Sequence, residues 1–417
     1  MHFQRLRGFP DIVGEEAPLF AKAEAVAREV FPLFGFREIR TPLLEEKGLF
    51  THALGTQTDV VQKEMYEFED RSKTRVVLRP EGTAGVVRAY IENHFQKNEG
   101  LSKFFYLGPM FRSERPQAGR LRQFHQVGVE TLGSSSPCAD AETIQALVAF
   151  LDRMGVDGYE IRLNHLGTFE ERGHLRTALK EYFHSHLGDL CEDCQNRVEK
   201  NVFRVLDCKR PACRKIIEKS PPIAGYLSPE SKDVFKKVED ALSACGIGYR
   251  VDPYMVRGLD YYTQTVFEVS HPKLGAQDAL AAGGRYDHLI ESLGGMPAGA
   301  VGFAAGVERL LMSLPSGSEE ISGASFFVAT LGEEALKAGF GLLWKLRREG
   351  VKAVMDFEAK SLKSQLRAAD KEKSRYVVIL GENELKRESL VLKDMQNGAQ
   401  EEISLDKAVE CLKGKAK

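Results

Sequence analysis

Residues 103–132, KFFYLGPMFRSERPQAGRLRQFHQVGVETL, decide the fold. Two apolar runs, 103–111 and 122–132, flank a polar, arginine-rich loop whose turn is shaped by Pro116 and Gly119, and together they read as a long β-hairpin. On the return strand Gln126, Gly128 and Glu130 alternate with Val127 and Val129, so the polar positions share one face. That face is either exposed to solvent or the floor of a pocket. In the second case Gly128 leaves room for a ligand, and Glu130 is placed to hold an amine or an imidazole N–H. The loop sets Arg112, Arg115, Arg120 and Arg122 around one acid, Glu114. Arg112 ends a strand, where a rigid scaffold aims its planar fork at a triphosphate, whereas the tip arginines suit a polyanion arriving from solvent. The plain alternative is a solvated charged turn.

Working outward, apolar residues recur at helical spacing from Pro18 to Phe34, Gly35 ends that helix, and FREIRTPLL reads as a strand stopped by Pro42. Residues 76–91 predict a strand, a turn and a helix. Residues 137–155 predict a helix and 159–165 a strand. Between 168 and 248 the chain turns helical and charged and holds five of the seven cysteines, so this stretch reads as an insertion. Strand signals return at 264–270 and in AGAVGFAAG, followed by a helix from Val307. A hairpin-rich region with few βαβ units implies an antiparallel sheet flanked by helices, an α+β catalytic domain over 1–320. After the linker LPSGSEEISGAS, residues 325–417 alternate strand and helix, which predicts a small α/β domain with a largely parallel sheet.

The totals agree with several domains. A chain of 417 residues with 43% hydrophobic content exceeds one ordinary core. Lys plus Arg 58 against Asp plus Glu 60 leaves a net charge of -2, so nucleic-acid binding must come from local basic faces. No segment approaches the roughly 20 apolar residues that span a bilayer, the N-terminus has no signal-like run, and an odd cysteine count argues against a disulfide framework. These features predict a cytoplasmic protein without membrane contact.

Three further segments carry chemistry. RGLDYYT, 257–263, sets an arginine, a glycine turn and two tyrosines at the mouth of the apolar run VFEV, where packing needs none of those polar groups. A pocket that grips an anion and a small polar ligand explains them. Glu81 in RPEGT sits at a strand-to-helix turn, facing a pocket or serving the helix N-terminus. Glu308 and Arg309 follow a glycine-rich strand that admits a flat ring, and Arg309 is placed to stack on a base or meet a γ-phosphate. No Walker A pattern and no GxGxxG after a strand is present, which excludes the usual P-loop and Rossmann sites.

These parts coincide with a family. FGFREIRTPLL (34–44), FRSERPQAGRLRQFHQVGVE (111–130) and GFAAGVERL (302–310) resemble motifs 1, 2 and 3 of class II aminoacyl-tRNA synthetases. RGLDYYT and AAGGRYD (281–287) resemble the two signature segments of the histidyl-tRNA synthetase family, and RLRGFPDI (5–12) resembles its N-terminal start. Ala282 stands where many members carry another glycine, and Pro137 and Cys138 follow a serine-rich turn; neither departure removes a chemical group. The resemblance implies a ligase for L-histidine that uses ATP with Mg2+ and tRNA(His), works as a homodimer and carries a C-terminal anticodon-binding domain. It implies a histidine pocket of Glu81, Gly82, Thr83, Arg112, Gln126, Glu130, Tyr261 and Tyr262, with Arg257 as the catalytic cation and Arg112 at the α-phosphate. Arg112, Glu114 and Arg309 are implied for ATP, and Arg115, Gln117 and Arg120 for the tRNA acceptor end. The rival reading is a non-catalytic paralogue that serves as a regulatory subunit in histidine biosynthesis.

Two features stand outside the resemblance. Cys191, Cys194, Cys208 and Cys213 form a CxxC pair and a wider pair, a spacing that fits a structural Zn2+ site and equally a set of free thiols. In the last domain a predicted helix from Ala359 to Arg375 carries Lys360, Lys363, Arg367, Lys371, Lys373 and Arg375 against Asp370 and Glu372, a phosphate-facing surface or a solvated face.

Overall fold

The structure, a computed structural model, describes residues 2–416 apart from 57, 258, 260, 316–324 and 359, with backbone alone at 276 and 277. Gly258 of the expected turn, most of the linker and Ala359 at the head of the basic helix lie outside the described residues. The chain forms two compact units, Met1–Ser318 and Glu319–Lys417.

In the first unit the strands are β1 (Arg37–Glu38), β2 (Leu44–Glu46), β3 (Tyr66–Glu69), β4 (Arg75–Leu78), β5 (Ser102–Phe111), β6 (Gln123–Leu132), β7 (Glu160–His165), β8 (Arg250–Val251), β9 (Thr263–Ser270), β10 (Ala279–Arg285) and β11 (Ala300–Gly306). Eight of them make one sheet in the order β1-β5-β6-β11-β10-β9-β7-β8. It is antiparallel except where β1 meets β5 and β7 meets β8. Strands β2, β4 and β3 form a small antiparallel sheet.

The hairpin β5–β6 pairs from Ser102 opposite Leu132 to Phe111 opposite Gln123. Its alternation sorts the side chains to two sides. Phe105, Val127 and Val129 join a core with Phe267 and Phe303 and with residues of the helices Glu16–Val30, Pro137–Met154 and Val307–Ser313. Phe104 and Tyr106 point the other way, into a core shared with the helix Thr83–Glu92, Tyr261, Tyr262 and residues of the 168–248 segment. Gly35 closes the first helical segment in the left-handed conformation, φ 80°, which a residue with a β-carbon rarely adopts.

Two expectations change. FREIRTPLL is not one strand but two short pieces, β1 and β2, in different sheets. Pro42 has no N–H to continue the ladder, and buried Arg79 takes the Thr41 carbonyl and hydroxyl, both at 3.1 Å, while its own N–H takes the Leu43 carbonyl at 2.9 Å. Conversely, glycine-rich residues 279–285, to which composition assigns no element, form the interior strand β10. A β-carbon on Gly283 would lie 2.3 Å from the Gly302 carbonyl oxygen, so glycine there is what lets the strands close up.

The segment 168–248 is helical as expected: Phe169–Ser185, Glu192–Lys200, Pro211–Ile217 and Pro229–Ala244. The first starts on a capping box in which Thr168 and Glu171 satisfy each other's backbone N–H.

The second unit holds β12 (Phe326–Thr330), β13 (Ala353–Met355), β14 (Tyr376–Leu380), β15 (Ser389–Asp394) and β16 (Gln400–Ser404), in the order β13-β12-β14-β15-β16. β13, β12 and β14 are parallel; β15 and β16 add an antiparallel hairpin. Helices Glu333–Arg348 and Ala408–Ala416 cover one face, and Leu362–Lys371 covers the other. This last helix is shorter than the predicted 359–375: Lys373 and Arg375 lie beyond its end, and Arg375 pairs with Asp394 at 3.2 Å. Lys363, Arg367 and Lys371 remain, spaced by four and exposed on one stripe.

Candidate active site

A cavity of about 990 Å³ opens on the face of the large sheet that carries Gln126 and Glu130. Its lining brings together Glu81, Thr83, Arg112, Glu114, Arg120, Gln126, Arg257, Tyr261, Tyr262, Glu268, Tyr286 and Arg309. Glu130 lies beneath this lining and is fully buried. Thr83 Oγ1 donates to Glu130 Oε1 at 2.7 Å, and the Tyr286 hydroxyl donates to Oε2. Burial pushes the Glu130 carboxyl up to about 8, against the pull of those two donors. The place for this acid is made by Gly302, which pairs opposite it; a β-carbon there would lie 1.8 Å from Glu130 Oε2.

Glu81 is likewise buried and held above the usual carboxylate range by burial. It accepts from the backbone N–H groups of Thr83 and Ala84 at 2.8 and 2.9 Å, at the start of the helix Thr83–Glu92, so it serves the helix N-terminus and borders the cavity at once. Gln126 Oε1 is buried and finds no hydrogen-bond partner among the described residues. An unpaired acceptor in a polar cavity marks where a ligand donor fits.

The room expected at Gly128 is taken. Tyr106 pairs opposite Gly128, and a β-carbon on Gly128 would lie 2.4 Å from the Tyr106 hydroxyl oxygen. A β-carbon on Gly82 would lie 2.3 Å from the same ring, so two glycines seat one phenol rather than a ligand. Tyr261 packs tilted against Tyr262 and edge-on against Tyr286, with ring centroids 4.6 and 5.6 Å apart.

The cations are held by different means. Arg112 donates from Nε to the Pro80 carbonyl at 3.0 Å and lies 5.3 Å over the Phe124 ring. Arg309 donates to the Gly119 carbonyl at 2.8 Å and the Ala279 carbonyl at 2.9 Å. Burial and then Arg120 press its charge below the usual arginine range, and Arg112 adds to that pressure, with Glu114 as the opposing acid. Crowded cations of this kind gain from an incoming polyphosphate. Arg257 is ion-paired with Glu268, and its Nε has no partner among the described residues. Burial opposes the Arg257 charge, but Glu268, Tyr262 and Asp207 together hold it above the usual arginine value.

Of the loop-tip residues, Arg115 and Gln117 are exposed, while Arg120 turns into the cavity and pairs with Glu114 at 2.9 Å. Arg122 braces the loop, donating to the Glu114 carbonyl at 3.1 Å. Glu308 does not point at a ligand: its carboxylate accepts the His125 backbone N–H and pairs with the His125 ring at 2.9 Å, tying the helix Val307–Ser313 to β6.

Sequence reasoning did not single out Glu268, Arg162, Tyr286, Tyr106 or Asp207. Glu268 is the one charge inside the apolar run VFEV, and a charge at an interior strand position is a signal that finds it. It bridges Arg257 and Arg162, the latter at 2.9 Å. Tyr286 lies within AAGGRYD itself. Next to it Arg285 is 1% exposed and pairs with Asp140 and Asp287, a buried ion cluster that fixes the start of the helix Pro137–Met154.

The four cysteines of the 168–248 segment stand with their Sγ atoms all within 4.8 Å of one another. Among the described residues no helix is long and apolar enough to cross a membrane.

The family described as Histidyl-tRNA synthetase matches residues 8–310, and the Anticodon binding domain family matches 325–415. The Histidine–tRNA ligase of Natranaerobius thermophilus is 43% identical over 412 residues, 98% of each chain. That of Syntrophotalea carbinolica is 44% identical over 406 residues, 97% of each chain. The crystal structure of apo S. aureus histidyl-tRNA synthetase is 33% identical with a TM-score of 0.81, covering 99% of this chain and all of the other. With a motif-bearing antiparallel sheet, a polar cavity on it and relatives matched end to end, the chain belongs to the histidyl-tRNA synthetase family.

Proposed function

We propose that this chain is a histidine–tRNA ligase, which joins L-histidine to AMP from ATP with release of diphosphate and then passes the histidyl group to the 3′ end of tRNA(His). The observation that carries the reading is a cavity lined by buried Glu81 with Arg112, Arg257 and Arg309, with a second buried carboxyl, Glu130, held beneath the lining by Thr83 and Tyr286. A site for histidine needs acceptors for an ammonium and an imidazole N–H, and a site for ATP needs cations.

In this reading Glu130 and Gln126 receive the imidazole and ammonium donors of histidine, with Glu81, Gly82, Thr83, Tyr261 and Tyr262 shaping the pocket. Thr83 and Tyr286 hold the Glu130 carboxylate in place, so its orientation is set before the substrate arrives. The histidine carboxylate is ionised at neutral pH and needs no general base. It attacks the α-phosphorus of ATP; the new C–O–P bond forms as the bond to diphosphate breaks. Arg257 and Arg112 stabilise the charge on the α-phosphate oxygens, each already fixed by a protein partner and therefore preorganised. Arg309 and Arg120 take the outer phosphates. Glu114, a half-buried carboxylate among these arginines, fits the one or two protein ligands a magnesium ion uses when it arrives on a triphosphate. The ion supplies charge neutralisation on the phosphates.

The reading assigns 1–320 to catalysis, with 168–248 as an insertion, and 325–417 to the anticodon loop. The stripe Lys363, Arg367 and Lys371, beside a surface hollow lined by Leu362, Leu366 and Asp370, supports the last assignment. Exposed Arg115 and Gln117 on the hairpin tip are offered to the acceptor end. A homodimer through the 34–46 region is supported by exposed Leu33, Leu43, Leu44 and Phe68 around β2; a monomer by sedimentation at micromolar concentration contradicts it. A regulatory paralogue without catalysis has no use for this full set of arginines.

The experiment is charging of tRNA(His) transcript with labelled histidine and ATP. Histidine-specific, ATP-dependent charging is expected. Binding of histidine without any charging of intact tRNA would favour the regulatory paralogue.

A further inference from the structure

The four cysteines of the 168–248 segment take no part in the reaction above, yet the fold gathers them. Cys191 caps the helix Glu192–Lys200 and Cys194 lies in its first turn; Cys208 follows the short turn Val202–Val205, and Cys213 lies in the first turn of Pro211–Ile217. Three of the four are buried, Cys194 and Cys213 completely. A disulfide holds its sulfurs about 2.05 Å apart. Here Cys191 Sγ and Cys208 Sγ are 4.0 Å apart, and all four sulfurs lie within 4.8 Å. Four thiolates at about 2.3 Å from a tetrahedral zinc ion stand about 3.8 Å from one another, so the cluster needs to close by only tenths of an ångström to about 1 Å to hold the ion. The Cys191 backbone N–H donates to Cys213 Sγ at 3.3 Å, a contact that favours a thiolate. Lys209, Arg210, Arg214 and Lys215 flank Cys208 and Cys213 in sequence. Four unoxidised thiols, three of them buried, converging on one point from three separate turns are more than the packing of short helices requires.

The position of the cluster gives it a consequence. Leu206, Asp207, Cys208 and Lys209 line the same cavity as Arg257. Lys209 pairs with Asp278 at 3.1 Å, Asp278 with Arg162 at 2.9 Å, Arg162 with Glu268 at 2.9 Å, and Glu268 with Arg257. Residues 206–209, which include Cys208, are thus the outer end of the ion-pair chain that holds Arg257.

We propose that Cys191, Cys194, Cys208 and Cys213 bind one zinc ion as four thiolates, and that this ion fixes residues 206–209 as a wall of the cavity that positions Arg257. The first half stands on the cysteines alone; the second rests on the adenylation reading of the cavity.

Metal analysis of the full-length protein, purified without chelator, tests the first half. About one zinc per chain is expected, released by a mercurial in step with thiol titration, and lost in Cys208→Ser and Cys191→Ser. Cys138→Ser and Cys245→Ser, exposed and outside the cluster, should keep it. Wild-type protein with no zinc and freely titrating cluster thiols, or with bound iron and its visible absorption, overturns the proposal, and this result does not depend on any variant folding. The second half is read in histidine-dependent exchange of diphosphate into ATP. Cys208→Ser should lower kcat by about tenfold or more with a smaller change in the KM for histidine, as expected when a transition-state cation is loosened. Unchanged kinetics in zinc-free Cys208→Ser would discard the wall role while leaving the metal site. A wild-type enzyme that holds zinc but shows no exchange would instead discard the ligase reading.

Discussion

The cavity of the first unit and the core of the second solve opposite problems. Around Glu130 the large sheet gathers two buried carboxyls, four buried tyrosines and several half-buried arginines, and burial raises both acids against their hydrogen bonds. The sheet of the second unit buries Phe326, Val328, Leu343, Leu346, Val378 and Leu380 on one face, and its fully buried Gln365 is satisfied by both backbone groups of Thr330, at 3.0 and 2.7 Å. One region keeps buried charges under tension because a substrate will relieve it; the other, among the described residues, buries no charged side chain, only Gln365 and small hydroxyls such as the unpaired Thr330 Oγ1. A small-molecule site therefore belongs to the first unit, and the second acts through its surface.

The sharpest way to break this contrast is Arg257→Ala. Diphosphate exchange should fall by a factor on the order of 10² to 10³, with histidine affinity changed far less, because the cation acts on charge that appears in the transition state. Near wild-type exchange would remove Arg257 from catalysis.

Deleting residues 325–417 should spare exchange, since every cavity residue precedes 310, while charging of tRNA(His) at limiting concentration falls by roughly 10² as phosphate contacts are lost. Charging of the intact enzyme should also weaken as salt rises. A truncated enzyme that charges tRNA as before contradicts the surface role of the second unit.

Glu130→Gln should weaken histidine binding by about tenfold and blur its discrimination against analogues, measured by calorimetry. The same variant tests the tension itself. Folding raises the Glu130 carboxyl from its ordinary value near 4.5 to about 8, so the folded state binds the extra proton in that window. Stability of the ligand-free protein from this group is full below about 4.5 and is lost as pH rises towards 8. Urea unfolding from pH 5 to 8.5 should show that decline in the wild type and a shallower one in Glu130→Gln; parallel curves would mean that Glu130 is ionised throughout.

The same contrast explains what the sequence discloses. Alternation in 122–132 and the β-α spacing after 325 are local patterns, and both elements formed where expected. The Gln126 and Glu130 face is legible too, because a polar stripe on an apolar strand has few uses. What the sequence hides is contact at long range. Tyr106 filling the place of Gly128, Glu308 turning to His125, and Glu268 joining Arg257 to Arg162 each depend on strands brought together from distant parts of the chain. β10 is hidden for a related reason: its glycines carry no strand propensity, and only the close approach of β9 and β11 makes them necessary.

The central claim is that the cavity under Arg257 activates histidine and no other amino acid. Exchange of labelled diphosphate into ATP by the full-length protein, measured with each amino acid in turn, tests it directly. The account predicts exchange with histidine alone; no exchange with histidine, or equal exchange with another amino acid, would contradict it.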